Sequence, residues 1–503
     1  MKKKLLLLVS LLAVFMTWQV TQAKQAWADS KLKVVTTFYP VYEFTKNVLG
    51  DKADVSMLIK AGTEPHDFEP STKDVAKIQD ADAFVYMNEN METWVPSVSK
   101  SVKSDKLQIV KGTGDMLLAA GSSEGEHEEG HKGHHHAYDP HVWLSPQRAI
   151  QVVKNIRDSF AKDYPDQAQA IEANADAYIK KLETLDKEYS KALSNVKQTS
   201  FVTQHAAFGY LALDYGLNQI PITGVSAEAE PSAKRLAQLS KYIKKYDIRY
   251  IYFEENASSK VAKTLANEAG VKTAVLNPIE SLTNKQIKAG EDYISVMKEN
   301  LKALQKTTSV KGKAIKAEED TSKTVANGYF KTKDVTDRKL SNWTGDWQSV
   351  YPYLQDGTLD QVWDYKAKSK KDMTAAEYKA YYTTGYKTDV NQITIDGKKN
   401  TMTFVRNGEK KTYTYKYKGY KILTYKKGNR GVRYLFEAKE ADAGEFKYIQ
   451  FSDHGIKSQK AEHFHLFWGG DSQEKLFDEM DNWPTYYPSN LSGHDIAQEI
   501  VAH

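Results

Sequence analysis

DQAQAIEANADAYIKKLETLDKEYSKALSNV, residues 166–196, carries Ile171, Tyr178, Leu185 and Ala192 at seven-residue intervals, interleaved with Ala175, Leu182, Tyr189 and Val196. One apolar stripe therefore runs the length of the stretch, which predicts a single long helix. At the helical rise it spans roughly 46 Å. That is enough for a strut along two lobes rather than a crossover buried within one.

Strand-like and helical runs alternate on both sides of this helix. Residues 33–38, 55–59, 83–87 and 107–110 read as core strands of a parallel sheet, with a helix near 41–49. The series resumes at 200–204, 219–223, 248–254 and 273–276, spaced by helical patterns at 232–246 and 258–269. Two β/α lobes follow from the alternation. The composition then breaks at residues 305–326, QKTTSVKGKAIKAEEDTSKTVA, where apolar periodicity stops. This predicts a linker at 306–326. Beyond it Tyr, Trp, Thr and Val alternate, with hairpin signals at Asp396-Gly397 and Asn407-Gly408. One helix interrupts, announced by the capping box Thr374-x-x-Glu377. These patterns predict a small antiparallel barrel or sandwich, and Gly345-Asp346-Trp347 resembles the Gly-x-Trp of lipocalin-like barrels.

The chain opens with Lys2, Lys3 and Lys4 ahead of roughly 16 apolar residues, too few to span a bilayer. Residues 1–28 are expected to be a secretory signal, with cleavage after Ala23 or, better placed, Ala28 in Ala26-Trp27-Ala28. The mature protein is then extracytoplasmic. With no cysteine among 503 residues, disulfides and an acylated N-terminal cysteine are both excluded. A net charge of only +5, acids and bases mixed, leaves no footprint for nucleic acid. The chain is expected to act as a monomer.

Its 13 histidines are not scattered. Apart from His66, His205, His494 and His503, they fall within residues 127–141 or in the triplet His454, His463 and His465. Imidazole binds zinc-like ions without needing a reducing environment, so metal capture is the first expectation. His66 sits in the turn-rich GTEPHDFEP after a strand, His141 in DPHVWLSP before a helix, and His205 at the end of a strand. Loops at the carboxyl ends of parallel strands face a common cleft, which can bring the three together. In His454-x8-His463-x-His465, residues two apart on a strand share a face, so His463 and His465 project together while Glu462 and Phe464 point away. His454 comes within reach if the run 446–451 pairs with theirs. This is a three-nitrogen site with a fourth position open. The segment EGEHEEGHKGHHH, with His127, His131, His134, His135 and His136, cannot build a core and reads as part of a loop, 121–136, able to hold ions weakly.

Residues 32–305 resemble the solute-binding receptors of zinc and manganese ABC importers, the TroA-like or ZnuA-like family. The resemblance is carried by KVVTTFYPVYEFTKNV, GTEPHDFEPS, DPHVWLSP, FVTQHAAFGYLALDYGL and IYFEENASS. Residues 327–503 resemble the ZinT family of zinc-binding proteins, most specifically in HFHLFWGG. The implied fold is an α/β two-lobed metal receptor (29–305) with a single long linking helix, followed by a mainly β lipocalin-like (calycin) barrel.

The resemblance implies that His66, His141 and His205 are zinc ligands. Glu280 in LNPIE best matches the family's carboxylate position, with Glu254, Glu255 and Glu64 as weaker candidates. Three imidazoles and one carboxylate suit zinc, whereas manganese prefers more oxygen donors, and the family's manganese receptors carry a carboxylate at the position of His205. Two tight Zn2+ sites are expected, with weak sites on the histidine-rich loop. The implied partners are a membrane permease and, through it, a cytoplasmic ATPase, which fits the lack of a Walker-type phosphate loop here. An enzyme is not expected: the first site is closed, and no Asp or Glu near the second is an evident general base. The alternatives are a manganese or mixed-metal receptor, a surface adhesin, or a zinc hydrolase centred on His454, His463 and His465.

Overall fold

The computed structural model describes residues 31–102, 106–121, 138–224, 231–254, 259–313, 325, 327–425, 428–478 and 481–502. The expected signal segment, the histidines of 127–136 and most of the expected linker lie outside these residues. The chain divides into two units, Met1–Ile315 and Lys316–His503.

In the first unit, β1 (Leu32–Thr36), β2 (Ala53–Met57), β3 (Ala83–Tyr86) and β4 (Gln108–Lys111) form a parallel sheet in the order β2-β1-β3-β4. A second parallel sheet repeats the plan with β5 (Ser200–Thr203), β6 (Asn218–Pro221), β7 (Tyr250–Phe253) and β8 (Lys272–Val275) in the order β6-β5-β7-β8. The central strands β3, Ala-Phe-Val-Tyr, and β5, Ser-Phe-Val-Thr, are buried throughout. A sheet covered by helices on both faces requires such unbroken burial. In each sheet the strand order reverses beside the first strand, opening a crevice at the carboxyl ends.

The linking helix spans Ala168–Leu193 and is entered through a short 3-10 turn at Pro165–Gln167. Its stripe of Ile171, Ala175, Tyr178, Leu182, Leu185 and Tyr189 is buried. It packs on helices Tyr39–Leu49 and Pro146–Asp163 of the first lobe and on helix Tyr293–Thr308 of the second. Tyr189 donates to the Met297 carbonyl across that second contact at 2.6 Å. The strut expected from the heptad pattern is therefore present. Helix Tyr293–Thr308 also runs past residue 305, where the composition breaks: Thr307 and Thr308 are buried, and the Thr308 carbonyl accepts from Lys197 N. Small polar residues hid this last turn from a composition test.

In the second unit, eight antiparallel strands close a barrel in the order β10-β11-β12-β13-β14-β15-β16-β9. They are β9 (Gly345–Ser349), β10 (Val390–Asp396), β11 (Thr401–Arg406), β12 (Glu409–Thr424), β13 (Arg430–Ala438), β14 (Tyr448–Ser452), β15 (Phe464–Gly469) and β16 (Thr485–Pro488). Trp343, Trp347, Phe404, Phe436, Phe446, Phe451, Phe464 and Tyr486 are among the side chains of its core. Trp347, of the Gly-x-Trp motif, donates its indole N–H to the Trp343 carbonyl at 2.8 Å. The Arg338 guanidinium lies 4.1 Å over the Trp343 ring and pairs with Asp453 at 2.6 Å.

One expectation needs correction, and one turn differs in form. Not one but three helices, Tyr351–Gln355, Asp360–Lys370 and Ala375–Tyr386, separate β9 from β10, and a fourth, Gly493–Ala502, follows β16. Tyrosines dispersed around these helices blur the apolar stripe; the capping box at Thr374 does form. Asn407-Gly408 makes the expected tight turn with both residues at positive φ. The hairpin expected at Asp396-Gly397 also forms, pairing Asp396 with Thr401, but through the longer loop 397–400: the left-handed residue there is Asn400, and Asp396 Oδ1 accepts from the amides of Lys398 and Lys399. Gly397 is needed because a Cβ would collide with Ser341.

Leu182 is fully buried at the middle of the strut. Leu182→Ala should lower unfolding stability by about 2–5 kcal/mol, measured by denaturant or thermal melting of the first unit's transition. A change under about 0.5 kcal/mol would show that the stripe is not the seam between helix and lobes.

Candidate metal centres

The carboxyl-end loops of the two sheets carry His66, His141, His205 and Glu280 to one point. His66 Nε2 lies 3.1 Å from His141 Nε2. Glu280 Oε1 lies 3.4 Å from His66 Nε2, 3.4 Å from His141 Nε2 and 3.6 Å from His205 Nε2. A tetrahedral ion with zinc's bond length of about 2.05 Å needs donors roughly 3.3 Å apart. His205 Nε2 and Glu280 Oε1 are buried with no hydrogen-bond partner, a costly state that a cation would relieve. The donors fit zinc.

Three of the four candidate donors are aimed by buried hydrogen bonds. His141 is fully buried, and both its backbone N–H and its Nδ1 face Asp139 Oδ1, at 3.0 and 2.8 Å. His205 Nδ1 likewise faces the buried Glu254 carboxylate. With Nδ1–H donated outward, the Nε2 lone pair is left pointing at the centre. Glu280 follows Ile279, a β-branched residue at φ 58°. That left-handed conformation is unfavourable by about 1–3 kcal/mol. It is held because Asn277 Oδ1 accepts from Ile279 N at 2.7 Å, Asn300 brackets Asn277 at 2.8 and 2.7 Å, and Trp143 Nε1 donates to the Pro278 carbonyl at 2.8 Å.

The electrostatics follow from this enclosure. Burial works to lower the His205 pKa, but the Glu254 and Glu280 carboxylates outweigh it and hold the imidazole well above its ordinary value. His141 is raised in the same way by Asp139 and Glu280 against its burial. Burial pushes Glu280 up, yet the three facing imidazoles bring it well below the usual carboxylate range. Glu64 is raised by burial and by the nearby Glu280 charge.

A second cluster, His454, His463 and His465, stands on the barrel. β14 pairs with β15, placing Ser452 opposite His465; His454 follows β14 at φ 59°, and His463 immediately precedes β15. The Arg338–Asp453 pair pins the turn that carries His454, since Asp453 Oδ1 also accepts from Gly455 N at 3.2 Å. Thr485 Oγ1 donates to the Trp483 carbonyl at 2.9 Å, so it accepts from His465 Nδ1 at 2.8 Å and leaves Nε2 for the cluster. Burial, the two neighbouring imidazoles and Arg433 hold His465 well below its ordinary pKa, so it is neutral near pH 7.

The family described as "Zinc-uptake complex component A periplasmic" (ZnuA) matches residues 34–307, and "periplasmic lipocalin-like zinc-recruitment" (ZinT) matches 321–503. The chain belongs to the ZnuA family, joined to a ZinT domain. Zinc-binding protein AdcA of Streptococcus pyogenes is 70% identical, with 100% of both chains aligned, and zinc-binding lipoprotein AdcA of Streptococcus pneumoniae is 64% identical over 100% of both. The crystal structure of Zn(II)-bound AdcA from S. pneumoniae superposes with TM-score 0.85 at 64% identity, covering 94% of this chain and 100% of that one.

Within the ZnuA half the structure gathers the three histidines and Glu280 but gives the other glutamates different places. Glu254 occupies the far nitrogen of His205, Glu64 accepts from His66 N at 3.0 Å, and Glu255 lies outside the described residues. Asp139 escaped notice as a positioning residue; its place two before His141 was the available signal. In the ZinT half Phe464 does turn into the core, as alternation requires, but Thr485 and Arg433 come from strands too distant in sequence to connect with the histidines.

In the metal-free protein, Glu254→Gln should bring the His205 titration down toward the ordinary imidazole range, read by NMR of the ring. An unchanged titration would remove Glu254 from the account of its orientation.

Proposed function

We propose that the chain captures extracytoplasmic Zn2+ in the cleft between its two β/α lobes, with His66, His141, His205 and Glu280 as the four ligands, and delivers it to an ABC permease driven by a cytoplasmic ATPase. The observation that carries this reading is the single point reached by three Nε2 atoms and one carboxylate oxygen at a spacing suited to tetrahedral zinc. Its three-nitrogen, one-oxygen composition favours zinc over manganese. A closed donor set keeps no position for activating water, so this centre serves binding rather than catalysis. The receptor runs from residue 29 through the helix that ends at Thr308, the linker occupies the rest of 306–326, and 327–503 is the accessory domain, in which His454, His463 and His465 hold a second ion. Residues 121–136 add weak capture sites: the Ala120–Tyr138 bridge closes the base of this segment three residues before His141.

The full-length protein should bind two Zn2+ by native mass spectrometry or metal analysis, and excess Mn2+ should displace neither. His141→Ala and His465→Ala should each lower the stoichiometry from two to one, and the double variant should bind none tightly. If His141→Ala leaves two ions bound, the cleft assignment is wrong. Deleting 121–136 should leave both tight sites filled while slowing zinc uptake from dilute solution. Loss of an ion on that deletion would show that the segment supplies a primary ligand.

Zinc binding at the cleft should also release protons near neutral pH, because His141 and His205 are held above their ordinary pKa in the metal-free state. A raised pKa keeps the proton on as pH rises, so cleft affinity should increase with pH through and above the ordinary imidazole range. His465 is shifted the other way, and the barrel centre should show the weaker dependence. Calorimetry of the two single-site variants in buffers of different ionisation enthalpy measures both proton counts; equal counts would refute the contrast.

A further inference from the structure

Beside the histidines of the barrel lies a cavity of about 450 Å³, lined among others by Tyr381, Arg433, His454, His465, Phe467 and Trp483. It sits on the outer side of the wall, because the alternate residues of β14 and β15, Ile449, Phe451, Phe464 and Leu466, fill the core. Its floor is set by strand register. Tyr434 pairs with Phe451 and Ser452 with His465, so Arg433, Ser452 and His465 fall on one rung across three neighbouring strands. Its wall depends on Gly385, where any Cβ would collide with the Trp483 ring.

Arg433 is 3% exposed, yet Nε and Nη1 have no hydrogen-bond partner. Its guanidinium carbon lies over the Phe467 ring, 3.2 Å from the centroid. Burial lowers its pKa only to about 10, so it remains charged, and among the described residues the side chain that hydrogen-bonds it is Tyr425, not a carboxylate. A buried guanidinium with open donors is unfavourable unless an anion joins it. Across the rung, three neutral imidazoles bring no negative charge to a divalent ion. Metal and guanidinium together thus present excess positive charge to a cavity large enough for a small molecule.

We propose that the barrel site takes a small carboxylate as a co-ligand, one oxygen on the zinc held by His454, His463 and His465 and the other on Arg433. A planar carboxylate suits the guanidinium fork, and Tyr381, Trp483 and Phe467 accommodate its organic part. The barrel then captures zinc already carrying a small organic acid. This inference rests on the three-histidine reading above.

The test uses the full chain loaded with Co2+, whose visible bands report coordination. Two bound ions are expected, and acetate and citrate should each shift the bands saturably, with the His465→Ala protein giving no such response. Arg433→Met should weaken the response at least tenfold while keeping two ions, and Arg433→Lys, which retains charge without the fork, should fall between. Circular dichroism and melting report whether the variants fold; the titrations of the unaltered protein decide the matter even if they do not. Two bound ions with bands indifferent to carboxylate, or an Arg433→Met protein that folds and titrates like the parent, would overturn the proposal. Phosphate binding more tightly than either carboxylate would overturn the choice of ligand. A single bound ion, the barrel remaining empty, would instead overturn the three-histidine reading on which the proposal stands.

Discussion

Two buried hydrogen bonds, from His141 to Asp139 and from His205 to Glu254, determine what the cleft can hold. An imidazole offers a lone pair on one nitrogen only when its proton sits on the other, and in each case a carboxylate takes the outward proton. Reverse either tautomer and the ring presents N–H, not a lone pair, to the centre. The rest of the first unit supports these two pairs. Tyr210 donates to the Asp139 carbonyl at 2.6 Å, and the Arg148–Asp214 pair holds the helix that begins at the last residue of the DPHVWLSP segment, Pro146. Gln219 donates to the His205 carbonyl at 2.9 Å, fixing the turn after β5.

The two centres solve the charge of a divalent ion differently. In the cleft, Glu280 contributes one negative charge among the ligands, and the two orienting carboxylates add more close by. On the barrel the orienting group is a neutral hydroxyl, Thr485, and a buried cation, Arg433, shares the rung with His465. The cleft therefore favours a bare cation, while the barrel favours a cation accompanied by an anion. The difference explains why imidazoles are raised in one place and His465 is depressed in the other, although desolvation acts to lower both.

The long helix, the strand alternation and the six histidine candidates were legible in the sequence because each is a local pattern: a heptad stripe, a short apolar run, a histidine at a strand end. The resemblance to known families supplied Glu280. What escaped was non-local or blurred. Three helices beside the barrel disperse their tyrosines around the axis, and the turn at Asp396 is governed by a collision with Ser341 that no neighbouring residue reveals. Glu254 read as an alternative ligand because a sequence shows that a carboxylate is near a histidine but not which nitrogen it faces. Arg433 lies 32 positions from His465 and becomes its neighbour only through the register of β13, β14 and β15.

The candidate donors of the cleft are also divided evenly, and this bears on the release of a bound ion. His66 and His141 come from the loops of the first sheet, His205 and Glu280 from those of the second, so neither lobe alone offers more than two donors. A site split in this way is lost by a small separation of its halves, since a shift of about 1 Å already breaks bonds of about 2 Å. The linking helix packs on both lobes and restrains such separation. Further contacts cross near the metal: Gly62 N donates to Ser281 Oγ at 2.6 Å, and Trp143 to the Pro278 carbonyl. These bonds flank the ligands rather than the distant helix, so a partner that competes for them acts where the least displacement opens the tetrahedron.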